Sequence, residues 1–262
     1  MVINGLSPER GDKGNYVAIF GRNFGNNPGK VYFAKVASPK STDLSDWQEA
    51  IVVECGLLTK NWFNDQIVVE VPEGFYREGA AIMVSGTVYK ANTIGDGSDS
   101  YSSHLRFYYE KNNRPNLCAI IPTTSISSYQ TGIQFNGKNF GSRTANDRVK
   151  LRISNDPIDD VSLGIASWGK NGLFDQIIVS TPRLDEGRVS GFVYAQGQES
   201  NSLLVRIKNI QDSTLPLIDS VVPASGNKGQ YITITGKNFG KQLGEVRFYN
   251  CLLYTSPSPR DS

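Results

Sequence analysis

One histidine, His104, occurs in 262 residues, with only three cysteines and two methionines. A single imidazole makes a His-built metal site or a Ser-His-Asp triad very hard to assemble. The cysteines show no CxxC spacing, which removes the common zinc and thiol-redox signatures. Neither sign of charge dominates. Lys+Arg number 27 against 25 Asp+Glu, and a net charge of +2 gives no electrostatic case for nucleic acid. No apolar run approaches the roughly 20 residues of a membrane span. Met1-Val2-Ile3-Asn4-Gly5 contains no basic region leading into an apolar stretch, so no signal peptide is expected within the sequence.

What the chain has is glycine and a repeat. Gly21-Arg22-Asn23-Phe24-Gly25, Gly137-Lys138-Asn139-Phe140-Gly141 and Gly236-Lys237-Asn238-Phe239-Gly240 are three copies of one five-residue motif. Self-similarity of this kind decides architecture before any local reading does. Glycine takes positive φ freely and asparagine tolerates the left-handed region, so the motif reads as a tight turn. The central Phe is not a turn residue; it reads as an anchor folded onto an apolar core.

Strand-like runs flank every copy. Tyr16–Phe20 precedes the first turn, with Val17 and Ile19 on one face, and Lys30–Phe33 follows it. Asn64-Asp65-Gln66-Ile67-Val68-Val69-Glu70-Val71-Pro72 returns as Phe174-Asp175-Gln176-Ile177-Ile178-Val179-Ser180-Thr181-Pro182. Arg148-Val149-Lys150-Leu151-Arg152 alternates as a half-buried strand should. Residues 34–50 read as a polar excursion with one helical turn near Asp43–Trp47. The first repeat carries about ten more residues than the second before this point is matched, and these are assigned to a surface loop. The expected organisation is a domain over 2–110, a second over 115–208, and a truncated third over 216–250. Short polar linkers between them suggest sandwiches stacked like beads with limited bending. Residues 251–262 resemble the conceptual translation of a sequencing adapter and are left out of the fold reading. Cys251 leaves the cysteine count with them. Cys55 and Cys118 then fall in different repeats with no partner at a matching position, and their redox state stays open.

These elements resemble the IPT/TIG domain, an immunoglobulin-like, E-set-type fold. The resemblance rests on the Pro8…Gly14 and Pro223…Gly229 openings, the strand with Gly-Lys-Asn-Phe-Gly, and the Asp-x-Ile-x-Val-x-x-Pro strand. The second repeat departs from the opening at Thr123-Thr124-Ser125-Ile126-Ser127. The resemblance implies an all-β chain of tandem β-sandwiches. Of the two branches it covers, DNA-binding and extracellular, tandem copies with near-neutral charge fit the extracellular one, of a bacterial surface or secreted type. The lack of any Asn-x-Ser/Thr sequon points the same way.

Chemistry finds few candidates. Asp96-Gly97-Ser98-Asp99 and Asn155–Asp160 are acidic but lack the spacing of a calcium loop. Asp65 and Asp175 recur at one place in two repeats, where a turn or cap role fits better than acid–base catalysis. Trp47, Trp62, Tyr76 and Trp168 fall in or near loops and are candidate binding aromatics for a sugar or a protein anchor. The plainer reading packs Trp62 and Trp168 against the sandwich edge. The expectation is a non-catalytic, extracellular or cell-surface fragment that spaces, presents or binds a protein or glycan, with no cofactor, no nucleic acid and no membrane span. Two alternatives remain: the accessory region of a secreted hydrolase, and a carbohydrate-binding module.

Overall fold

The computed structural model describes residues 1–40, 43–55, 61–85, 105–123, 125–154, 156–208, 217–227, 229–239 and 246. His104, the 95–103 loop with its acidic run, Asn155, Gly240 and the 251–262 tail lie outside the described residues. The chain divides into two compact units, Met1–Asn209 and Ile210–Ser262.

In the first repeat the strands are β1 (Val2–Ser7), β2 (Arg10–Gly11), β3 (Tyr16–Arg22), β4 (Lys30–Ala34), β5 (Trp47–Val52), β6 (Gln66–Glu70), β7 (Ala80–Ser85) and β8 (Arg106–Tyr109). They hydrogen-bond in the order β1-β3-β6-β5-β4-β7-β8-β2. Inside sit Val17, Ile19, Val31, Phe33, Ile67, Val69 and Phe107, all fully buried. Phe33, Phe75 and Phe107 meet edge to face, with centroids 5.5–6.2 Å apart. β5 stands where a polar excursion was expected. Its register with β4 runs Val31↔Ala50 to Ala34↔Trp47, and Ile51 and Val52 pair with β6. Only Trp47 and Ala50 point firmly inward, a spacing of three that hides the strand's period of two. The expected helical turn is a 3-10 turn at Leu44–Asp46, capped by the Asp43 carboxylate, which accepts from Ser45 N–H at 2.9 Å.

The second repeat is built from β9 (Asn116–Ile121), β10 (Ile133–Lys138), β11 (Arg148–Arg152), β12 (Val161–Ser162), β13 (Gly164–Asn171), β14 (Phe174–Ser180), β15 (Gly187–Ala195), β16 (Gln198–Glu199) and β17 (Leu203–Ile207). One sheet runs β13-β14-β10-β9; the facing one runs β12-β11-β15-β16, with β17 also on β15. Here β12 and β13 share the place that β5 fills alone in the first repeat. Arg148–Arg152 alternates as read, with Val149 and Leu151 fully buried. The fold is all-β: no α-helix occurs among the described residues.

In the second unit β18 (Leu217–Val222) pairs with β19 (Thr233–Lys237). Ile218, Val221 and Phe239 are 55%, 37% and 43% exposed there, whereas their counterparts Ile3, Leu6 and Phe24 in the first repeat are buried.

The motif's asparagine has one geometry in all three copies. Asn23, Asn139 and Asn238 take φ of 61°, 62° and 61°. Gly25 and Gly141 also have positive φ, 77° and 66°, as a turn of this kind requires. The leading glycine works differently from expectation, because its φ is not positive. A Cβ on Gly137 would lie 2.1 Å from Asn116 O and 2.6 Å from Phe140 Cζ; on Gly21 it would lie 2.1 Å from Val2 O and 2.3 Å from Phe24 Cζ. The glycine is there because the Phe ring folds back over it while the opening strand closes in. That strand carries a β-bulge at the same point each time. Pairing shifts between Ile3 and Gly5, between Gly137 and Asn136, and between Ile218 and Ser220. The extra, unpaired residue is Asn4, Cys118 and Asp219 respectively. Each opening strand ends at a cis X–Pro bond: Ser7–Pro8, Ile121–Pro122 and Val222–Pro223.

Candidate functional site

The four candidate aromatics do not converge. Trp47 and Trp62 are core residues of the first repeat, each 4% exposed. Their indole N–H groups donate inward, Trp47 to Lys40 O at 2.9 Å and Trp62 to Phe24 O at 3.2 Å. Neither presents a ring face to solvent, because β5 turns Trp47 into the sandwich and Trp62 bridges to Ile67. Trp168 is half-buried on β13; it donates to Gly141 O at 2.9 Å and meets Phe140 edge to face at 6.2 Å. Tyr76 is half-buried at the edge of the first core, and its hydroxyl donates to Glu78 at 2.8 Å.

Acidic candidates also resolve into structural work. The Asp175 carboxylate accepts from Phe140 N–H at 2.8 Å, fastening the second turn. In the first repeat Asn64 does this job: its carbonyl accepts from Phe24 N–H at 3.0 Å and its side chain from Gly25 N–H at 3.2 Å. Asp65 instead pairs with Arg188 of the second repeat. Asp156 caps the short turn Pro157–Asp159, and Asp160 pairs with Arg152 at 3.2 Å. Among the described residues no three His, Cys, Asp or Glu side chains gather as metal ligands would.

Side chains do converge at the junction of the first two repeats. β3 and β6 are buried on both faces. Val17, Ile19, Ile67 and Val69 fill their own sandwich, while Tyr16, Ala18 and Val68 join the core cluster of the second repeat with Val53 and Cys55. Cys55 and Cys118 are disulfide-bonded, with Cα atoms 5.9 Å apart. The bulge re-aims Cys118 out of its own ladder, as bulges do. The loop holding the extra residues of the first repeat thus carries a buried cysteine to the joint rather than lying wholly on the surface.

Buried polar contacts close around the bridge. Asn116 Oδ1 accepts from Tyr16 N–H at 2.6 Å, and Gln66 Oε1 accepts from Leu204 N–H at 2.6 Å. Ser202 donates to Ser7 Oγ from its backbone at 2.9 Å and from its hydroxyl at 2.8 Å. Lys138, the second residue of the repeated motif, lies 4.2 Å over the Tyr16 ring and pairs with Glu70 at 3.0 Å. Burial pushes the Tyr16 phenol above its ordinary pKa; the Lys138 ammonium pulls it back, and Glu70 adds to the rise. Sequence reasoning missed this joint. The signal was present in Tyr16-Val17-Ala18-Ile19-Phe20 and Leu117-Cys118-Ala119-Ile120-Ile121, strands with no polar face.

Residues 216–252 match the family model for the IPT/TIG domain. The third repeat is thus similar to the IPT/TIG domain. The match lies in the third repeat, and the first two repeats share its bulge position and its asparagine geometry. No curated protein matches the sequence. Among solved structures, one determined with a xylogluco-oligosaccharide is 18% identical, covering 91% of this chain and 47% of its own, at a TM-score of 0.26. The plexin A4 extracellular region is 16% identical over 79% of this chain and 18% of its own, at 0.28. A surface glycan-binding protein from Prevotella bryantii is 11% identical over 76% of this chain and 40% of its own, at 0.25. The chain spans less than half the length of each of the three. At such TM-scores these likenesses carry no functional argument.

Proposed function

We propose that this chain is a non-catalytic spacer that works outside the reducing cytosol, holding or presenting a protein or glycan contact at a cell surface. The observation that carries the reading is the joint of the first two repeats, where one disulfide crosses a shared core. Disulfides persist in oxidising compartments. A spacer needs a fixed length, and a joint with a common core removes the freedom that short polar linkers leave.

The test uses the full chain with spin labels introduced through non-cysteine chemistry at Lys30 and Lys170, exposed positions of the first and second repeats. Double electron–electron resonance is expected to give one narrow distance distribution. A broad distribution with the disulfide intact would sink the spacer reading.

A further inference from the structure

The outer face of the sheet β13-β14-β10-β9 carries a row of uncharged amides. Gln134 and Asn136 stand two apart on β10, and Gln176 stands opposite Asn136 on β14. Gln176 Nε2 donates to both Gln134 Oε1 and Asn136 Oδ1, at 3.1 Å each. Among the described residues, the amide nitrogens of Gln134 and Asn136 and the Oε1 of Gln176 make no other hydrogen bond. They line an open cleft of about 380 Å³. That volume lies within the range of about 300–1,000 Å³ typical of small-molecule sites.

The rest of the wall is apolar or neutral. Phe174 is half-buried, Leu173 at the hairpin tip is 96% exposed, and Ile121 and Asn171 complete the lining. No lining residue is ionisable. Paired amides offer a donor and an acceptor side by side, which suits vicinal hydroxyl groups. An aromatic ring with an aliphatic neighbour suits the C–H face of a sugar ring. The lack of a cation removes phosphate, sulfate and uronate as preferred ligands. A peptide strand would seek the free backbone of a sheet edge, and this is a sheet face.

We propose that this face of the second repeat is a binding site for a neutral oligosaccharide, held by Gln134, Asn136 and Gln176 and stacked on Phe174. The inference goes beyond the spacer reading and uses other residues, so either can fail alone.

The full chain, labelled with nitrogen-15, is titrated with cellohexaose, mannohexaose, xylohexaose and maltohexaose, and with an oligogalacturonate as charged control. At least one neutral sugar shifts the side-chain amide resonances of Gln134, Asn136 and Gln176, and the charged one does not. Phe174→Ala and Gln176→Ala each weaken that binding about tenfold, the size of one lost contact of roughly 1.4 kcal/mol. Gln176→Ala removes no core ring, so it tests the site even if Phe174→Ala unfolds the sheet. No shift with any neutral sugar, shifts confined to other residues, or unchanged affinity in Gln176→Ala overturns the proposal.

Discussion

Gly137 shows how much one missing Cβ decides. The atom that alanine would add collides with a backbone carbonyl and with a buried ring, and neither can rotate aside. Gly137→Ala is expected to cost about 1–3 kcal/mol or more, the range for overpacking a filled site. Gly169 is the control: it lies on exposed β13 with nothing within 4 Å of the Cβ position. Gly169→Ala should leave the urea midpoint nearly unchanged. Equal midpoints for the two variants would refute the close-approach account. The motif's role as a turn was legible in the sequence from Gly and Asn alone. The reason for its first glycine was not, because it depends on a strand some twenty residues earlier.

Among elements, β11, β16 and the segment before β12 meet at one guanidinium. Arg152 bonds Glu199 at 3.0 Å and Asp160 at 3.2 Å, and lies 4.5 Å over the Phe192 ring. Hydrogen bonding to Glu199 dominates in holding Arg152 protonated, with Asp160 reinforcing it and burial opposing. The Asp160 side chain is 3% exposed while that of Arg152 is 32% exposed. Arg152→Ala would therefore strand a buried carboxylate, at a cost of about 2–4 kcal/mol after allowance for the half-open cation. A denaturation midpoint unchanged within error would show that water replaces the guanidinium freely. Alternation had exposed this strand in the sequence, and an outward basic row was a fair reading of Arg148, Lys150 and Arg152. What stayed hidden was that one of the three ties strands together, since its partners come from a loop and from a two-residue strand. β5 and β13 were hidden for a related reason. Both are partly exposed and carry Gly, Ser or Gln, so their apolar residues never fall into a period of two.

For the molecule as a whole, the joint contributes to the response to alkali. A phenol whose folded pKa lies above its unfolded value contributes stability that is intact below the unfolded value and lost as pH rises through the folded one. For Tyr16 the loss begins near its ordinary pKa of 10.0. Wild-type stability is expected to fall more steeply above pH 10 than that of Tyr16→Phe, which cannot ionise. Parallel curves for the two proteins would remove Tyr16 from the account. The sandwich class was legible because the repeated motif and its flanking strands advertise themselves locally. The joint was not, because a strand without a polar face announces a second covering layer and does not say which segment supplies it.

The bulge at Cys118 also bears on how such chains are rearranged in evolution. Tandem domains with independent cores can be duplicated, deleted or exchanged one at a time. Here the opening strand of the second repeat completes its surroundings with side chains from the first, so removing the first alone would bare Ala119 and leave Cys118 as an unpaired thiol. The heritable unit is the pair, and recombination that respects the fold keeps the two repeats together.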